Sequence, residues 1–358
     1  MWQYIQGLLR ALARADRSDS FVAFVTRESE SLAPAQSNFE RVRVNVRSSV
    51  RAWRVAYENT AFYALARRHR LDCLHWFSGN RALLSPAPSV VTIYDLQPYL
   101  RLSPYSWNKR LYLKFMTAQS VRRARVLLPM SEATAAGLTR ILGSDPARMA
   151  VIPPVVGDEF QPADPGEAAA FRERRHLPGR FWLYVAHFYP HKNHLRLLEA
   201  YASLRREGPA WPLVLRGDDR GAEAEVRERS RELSLDKDLI FLPRLESEEL
   251  PLLYAAATAL VFPSLYEGGG IPVVEAMACG LPVAVSSIPP VMEFAGADAL
   301  SFNPLDIASI TAAMRRMAEE PALLETKRRE GLGRAAGFRT EAVIPRLLEA
   351  YARAAASR

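Results

Sequence analysis

At 358 residues, with 49% apolar and 24% charged side chains, the chain is too long for one hydrophobic core and too apolar for disorder, so two globular domains are expected. Two cysteines, Cys73 and Cys279, exclude a disulfide framework, and no run of about eighteen apolar residues reads as a membrane span or secretory leader, so a cytoplasmic protein is expected. The net charge of +8 is uneven, since residues 1–150 hold 22 Lys+Arg against 10 Asp+Glu, yet no nucleic-acid-binding motif accompanies it.

The apolar period Tyr4-Ile5, Leu8-Leu9, Leu12-Ala13 predicts a first helix. Strands FVAFV (21–25) and RVRVNV (41–46) follow, then a helix near 50–69 and strands DCLHWF (72–77) and VVTIY (90–94). A long helix is expected near 107–124. No acid lies between Leu96 and Ser131, whereas Arg101, Lys109, Arg110, Lys114, Arg122, Arg123 and Arg125 do. Interleaved Trp107, Leu111, Tyr112, Phe115 and Met116 would give segment 101–125 an apolar side. Such a helix suits an anionic membrane surface; a solvated arginine face over a core helix is the equal alternative. Strand VLLP (126–129), helix 131–142 and strand MAVIP (149–153) complete a first domain, 1–155.

Residues 154–166 read as a linker into a second domain, 156–338. Strands WLYVAHF (182–188), PLVLRG (212–217), LIFLP (239–243), ALVFP (259–263) and LPVAVS (281–286) alternate there with helices at 193–206, 221–234, 247–256, 271–279 and 306–318. That alternation predicts an α/β fold of parallel sheets, with ligands at the strands' carboxyl ends where the order reverses. Lys192, Arg216 and Glu267 all fall at such ends. A last helix, 341–356, carries Val343, Ile344, Leu347, Leu348 and Tyr351 on one side.

The most informative passage is Glu267-Gly268-Gly269-Gly270-Ile271-Pro272, followed by a helix bearing Glu275 and closed by Gly280. Three glycines and a helix start offer backbone amides to a phosphate. Pro272 suits the first helical position and Gly280 the residue past the end. Glu275 cannot be meant for phosphate, so it is expected to accept from hydroxyls such as a ribose diol; Glu267 would serve a second polyol.

This E-x7-E pattern within YEGGGIPVVEAMACGLPVAVS is similar to the signature of glycosyltransferase family 4. VVTIYDLQPY, SEATAAGLTRILG, VIPPV, YVAHFYPHKN, LVLRG and FLPRLESEELPLLYAAATALVFPS follow the same family in order. The resemblance implies a GT-B fold, two Rossmann-like domains with parallel sheets facing an interdomain cleft, whose last helix (339–358) crosses back to the first domain. It implies retaining, metal-independent transfer from a nucleotide-diphosphate sugar to a glycan or lipid-linked acceptor, with no cofactor, in surface polysaccharide synthesis. Lys192 would hold the diphosphate, Glu267 the transferred sugar, Glu275 the ribose, and Gly268, Gly269, Gly270 and Ile271 would give amides. His187 stands where the family often has arginine, with His191 or Arg216 as compensating groups, and Gly269 replaces a common aromatic. Arg244 would flank the nucleobase. Tyr94-Asp95 replaces a common His-Asp, so histidine base catalysis is not carried over; Asp95 would orient the acceptor hydroxyl, and His75 would line the acceptor side. The family's first strand and glycine loop have no counterpart before the first helix, so either the sequence is truncated at its start or the first sheet has lost an edge, which would leave Phe21-Val22 less well covered. A non-catalytic nucleotide-sugar-binding protein and a GT-B epimerase stay open as alternatives.

Overall fold

Short apolar runs, too short for helices, form strands β1 (Phe21–Val25), β2 (Phe39–Arg43), β3 (Leu74–Trp76), β4 (Ser89–Ile93), β5 (Val126–Pro129), β6 (Trp182–Val185), β7 (Leu213–Arg216), β8 (Leu239–Leu242), β9 (Ala259–Phe262), β10 (Val283–Ser286) and β11 (Leu300–Phe302). All pair in parallel, with helices making most of the crossovers, a 3-10 turn (Glu30–Leu32) lying between β1 and β2 and a loop between β3 and β4. The computed structural model describes residues 2–15, 18–46, 51–99, 106–208 and 210–356. It divides into two units, Met1–Gly157 with Arg339–Arg358, and Asp158–Phe338.

In the second unit the strand order is β11-β10-β9-β6-β7-β8. Its central strands are buried on both faces, which explains their near-continuous apolar sequences. From β6 the sheet grows through β7 and β8 in one direction, and from β9 through β10 and β11 in the other. The order therefore reverses between β6 and β9. At that point the loops leaving the two strands lie side by side, and a crevice for ligand opens.

The first unit holds two separate sheets, β1-β2 and β3-β4-β5. The expected single sheet short of an edge is thus corrected: among the described residues β1 and β3 do not pair. Phe21–Phe24 stay half-buried while Val25 is buried, as a strand with one partner would be. The apolar side of helix Thr340–Ala355 packs on the first helix, Trp2–Ala15, and on β4 and β5. Val343, Ile344 and Leu347 are fully buried by it.

Local chemistry sets most boundaries. Ser131 caps helix Glu132–Leu142 by accepting the Thr134 amide at 3.1 Å, and Gly143 ends it at φ 62°. Four expectations change. The helix near 50–69 breaks at Thr60 into Arg51–Asn59 and Ala61–Arg68, with residue 50 outside the described residues. MAVIP forms only a bridge from Met149 to Leu127, because Pro153 and Pro154 cannot extend a ladder. Helix Pro165–Arg174, capped by Asp164, occupies the end of the expected linker. Helices Pro289–Ala295 and Pro321–Ala335 and strand β11 also went unread.

Candidate active site

After β6 the chain makes a tight turn, Pro190–Lys192, and Asn193 enters helix His194–Glu207 at φ 63°. Asparagine tolerates this left-handed backbone better than most residues. Its amide donates to the Pro263 carbonyl at 3.0 Å and the Pro304 carbonyl at 2.7 Å. Leu265 N–H donates to His191 O at 2.8 Å, and the buried Tyr184 hydroxyl donates to Lys192 O at 2.7 Å. The turn is thus bolted to the segment leaving β9. Lys192 Nζ meets Glu267 Oε1 at 2.5 Å, with 15% and 13% of the two side chains exposed. The structure brings these two predicted residues together.

From Glu267 the chain runs through Gly268, Gly269 and Gly270 into helix Ile271–Ala278, with Pro272 in its first turn. Among the described residues the amides of Gly269, Gly270 and Ile271 have no hydrogen-bond acceptor, as a helix start leaves them. The far end closes with Gly280 at φ 74° and Leu281 N–H on Ala276 O at 2.9 Å, a Schellman turn. Glu275 sits inside this helix with 5% exposure. Its Oε2 accepts from Tyr254 Oη at 2.9 Å, and Tyr254, on helix Leu250–Ala256, is itself buried. Burial raises the Glu275 pKa to about 7; the Tyr254 bond opposes this and Glu159 adds to it. Sequence reasoning missed Tyr254, since nothing marks a tyrosine on an apolar helix as a carboxylate's partner.

Two further donor-side candidates, His187 and His191, lie close enough to Lys192 to feel its charge. His187 Nδ1 accepts the Asp218 amide at 3.0 Å, so the neutral ring carries its proton on Nε2. Burial holds its pKa below the usual histidine value; Arg220, Lys192 and Arg216 push the same way, against Asp218. His187 therefore offers one N–H without a charge at neutral pH. His191 is lowered to about 4 by burial and by Lys192, and it stacks on Tyr189. His194, unforeseen, is buried between Phe188 and Tyr184 and lowered to about 3. No histidine here brings a second cation.

Arg216 does. A Cβ on Gly217 would lie 1.9 Å from Ala186 O, so only glycine lets the ends of β6 and β7 close up, with Ala186 N–H on Arg216 O at 2.9 Å. Arg216 reaches Asp218 at only 3.6 Å, and its Nε is buried without a partner among the described residues. Its charge is felt at both Tyr254 and His187. Arg244 lies exposed past the end of β8 and meets no acid among the described residues. Among the described residues no group of three or more His, Cys, Asp or Glu is placed to hold a metal ion.

In the first unit, the acceptor-side candidates are engaged in structure. Tyr94 Oη donates to Phe77 O at 2.8 Å, its ring meets Tyr4 edge-on, and burial raises its pKa far above the usual phenol value. Asp95 Oδ1 accepts the Gln97 amide at 2.8 Å, a turn-forming bond. His75 bridges Tyr351 Oη and Thr92 Oγ1, both at 2.8 Å, and burial lowers it to about 3.

Two family models cover almost the whole chain, "Glycosyltransferase Family 4" over residues 1–160 and "Glycosyl transferases group 1" over residues 167–336. The chain belongs to glycosyltransferase family 4. Among its relatives, O-antigen chain mannosyltransferase B of Escherichia coli is 28% identical over 266 residues, 74% of this chain and 70% of that protein. O-antigen chain mannosyltransferase RfbU of Salmonella typhimurium is 26% identical over 64% of this chain and 61% of its own length. The fold is that of GT-B glycosyltransferases. Sucrose-phosphate synthase of Thermosynechococcus elongatus superposes with a TM-score of 0.77 at 23% identity, over 99% of this chain and 93% of that one. Anabaena HepE in complex with UDP and glucose gives 0.75 at 17% identity, over 97% and 95%.

For a family 4 glycosyltransferase, Lys192, Glu267, the open amides of 269–271, Arg216 and Glu275 are the candidate site at the switch point. Arg216 follows from its place at a strand's carboxyl end, and its buried Nε and the close approach at Gly217 add to that reading. Tyr254 is the partner that the residue pattern leaves unmarked.

Proposed function

We propose that this glycosyltransferase is a retaining, metal-independent hexosyltransferase. It moves a sugar, mannose first among the candidates, from a nucleotide-diphosphate sugar to a glycan or lipid-linked acceptor of a surface polysaccharide. The observation that carries the reading is a partly buried ammonium, Lys192, held against the loop whose amides at 269–271 are unpartnered. Those groups suit a departing diphosphate, whose charge grows as the bond from the anomeric carbon to the phosphate oxygen breaks. With Tyr94 and His75 tied into the fold, the reading needs no base from them. The acceptor oxygen bonds to the same face of the anomeric carbon, and its proton passes to the leaving phosphate oxygen. Glu267 would then exchange Lys192 for sugar hydroxyls, and Glu275 would accept from the ribose. The mannosyltransferase names of the O-antigen relatives support both the sugar and the pathway class.

The test is thermal stabilisation and turnover with UDP-, GDP- and ADP-sugars. One donor at a hundred times its Kd is expected to add about 2.7 kcal/mol and to yield labelled glycan with membrane acceptors. Stabilisation without transfer or hydrolysis would leave a binding protein, and an altered donor sugar without acceptor would mark an epimerase.

The proposal extends to a cytoplasmic place at the membrane's inner face. No described helix is long and apolar enough to cross a membrane. Helix Trp107–Arg123, however, exposes Trp107 (76%), Leu111 (55%) and Phe115 (54%), one above another at i, i+4, i+8. Met116 turns inward instead. Lys109, Arg110 and Lys114 share this helix, while Arg101 lies outside the described residues. Such a stripe suits an anionic lipid surface. The triple variant Trp107→Ala, Leu111→Ala, Phe115→Ala should lose at least about tenfold in partition to phosphatidylglycerol vesicles. Unchanged partition would sink the membrane reading and leave the transferase reading standing.

A further inference from the structure

The amino ends of β4 and β5, opposite the end that carries Tyr94 and Asp95, border a cavity of about 850 Å³. Six arginines line it: Arg81, Arg122, Arg123, Arg125, Arg148 and Arg353. No Asp or Glu among the described residues does. They converge from the loop after β3, the end of helix Trp107–Arg123, the turn Pro146–Arg148 and the last helix. All belong to the first unit.

Where their contacts are recorded, these guanidiniums hold on to backbone carbonyls. Arg81 donates to Ala82 O at 2.9 Å, Arg123 O at 3.0 Å and Leu83 O at 3.3 Å. Arg123 donates to Leu83 O at 2.9 Å, Arg148 to Val121 O at 2.9 Å and to Ala124 O, and Arg353 to Met149 O at 3.5 Å and to Ala147 O. Carbonyls satisfy N–H donors but do not cancel charge. The helix end beneath Arg148 offers about half a negative charge, against the positive charges of Arg81, Arg122, Arg123, Arg148 and Arg353. Burial, reinforced by Arg123, lowers the Arg81 pKa, as expected of a cation short of counter-charge. A second observation is independent of the arginines. Ser89, on the cavity wall and 3% exposed, has a buried hydroxyl without a partner among the described residues. An orphaned hydroxyl in such a place calls for a ligand.

We propose that this cavity binds a phosphate-bearing polyanion, gripped by the guanidinium forks of Arg122 and Arg123 with the Ser89 hydroxyl as an added donor. Forked donors match the oxygens of an oxyanion pairwise, and the excess of positive charge favours a multiply charged phosphate over a neutral ligand. The same chemistry is presented by a soluble pyrophosphate group and by an anionic phospholipid headgroup. The site lies outside the donor pocket and does not depend on the transferase reading.

Calorimetric titration of sodium pyrophosphate into the full chain carrying Lys192→Ala and Arg216→Ala, which removes both donor-side cations, separates this site from the donor pocket. One pyrophosphate per chain is expected. Adding Arg122→Gln with Arg123→Gln should weaken it by about tenfold or more, the worth of one lost charged hydrogen bond, and Ser89→Ala by several-fold. Vesicles of phosphatidylcholine with and without phosphatidylglycerol distinguish the sources. Loss of vesicle partition in the arginine variant, with pyrophosphate competing, assigns the headgroup; unchanged partition assigns the soluble compound. Pyrophosphate affinity unaltered by the double substitution, in a chain that melts normally, overturns the proposal. Should that variant fail to fold, Arg122→Lys with Arg123→Lys keeps the charge and loses the fork; binding as tight as before would overturn it equally.

Discussion

Lys192→Met is expected to lower kcat by about 10²–10³, with a smaller change in KM, because the ammonium is most needed as the diphosphate departs. The substitution also strands Glu267, whose side chain is 13% exposed. Some stability should go with it, since an acid left half-buried without its cation is unfavourable. The double variant Lys192→Met, Glu267→Gln separates the effects: its melting temperature should recover while kcat stays low. Recovery of both would make the pair a structural rivet and remove Lys192 from the chemistry. Arg216→Ala provides the comparison. As the second cation of the site, with a buried unpartnered Nε and only a 3.6 Å pairing with Asp218, an acid that keeps Arg220 beside it, it should lower kcat/KM by about ten- to a hundredfold with little loss of stability. A near-normal value would return the positive charge to Lys192 and the helix amides alone.

Nucleotide affinity should fall as pH drops through about 7, the value to which burial raises Glu275. Ribose hydroxyls donate best to the ionised carboxylate, so binding expels the proton held in the empty site. Each unit below that pKa should weaken the nucleotide by about tenfold, and calorimetry in buffers of differing ionisation enthalpy should register proton release. Glu275→Gln should bind about ten- to a hundredfold more weakly at pH 8 and show no such slope. Stability runs with the opposite logic. A carboxyl whose pKa rises from 4.5 to about 7 on folding contributes fully below 4.5, and that contribution is lost as pH climbs through 7. The loss is about 3 kcal/mol, so Glu275→Gln should melt higher than the parent at pH 8 and similarly at pH 4. A flat affinity profile in the parent would exclude Glu275 as the ribose acceptor.

What could be read from residues was what local rules determine. The carboxyl-end placement of Lys192 and Glu267 followed from strand alternation, and the glycine-to-helix start followed from Gly268–Pro272. Elements announced by proline-led starts, at Pro165, Pro289 and Pro321, were passed over because their hydrophobic period is short or weak. Tyr94, Asp95 and His75 resembled acceptor-side groups, yet hydrogen bonds across 17 to 276 positions of sequence engage Tyr94 and His75 elsewhere. No one-dimensional pattern carries such distances. Tyr254 became legible only through its contact with Glu275, 21 positions further along the chain.

The last helix adds a constraint of another kind. It buries its apolar side against Trp2–Ala15, β4 and β5, and Tyr351 completes the ring of partners around His75. The amino-terminal unit is therefore assembled from both extremities of the polypeptide, while Asp158–Phe338 is one uninterrupted stretch. On the ribosome, the middle of the protein can reach its native shape while its beginning still waits for a missing wall. Vectorial synthesis thus runs inside-out here, and the early-made residues are those most in need of a chaperone's cover.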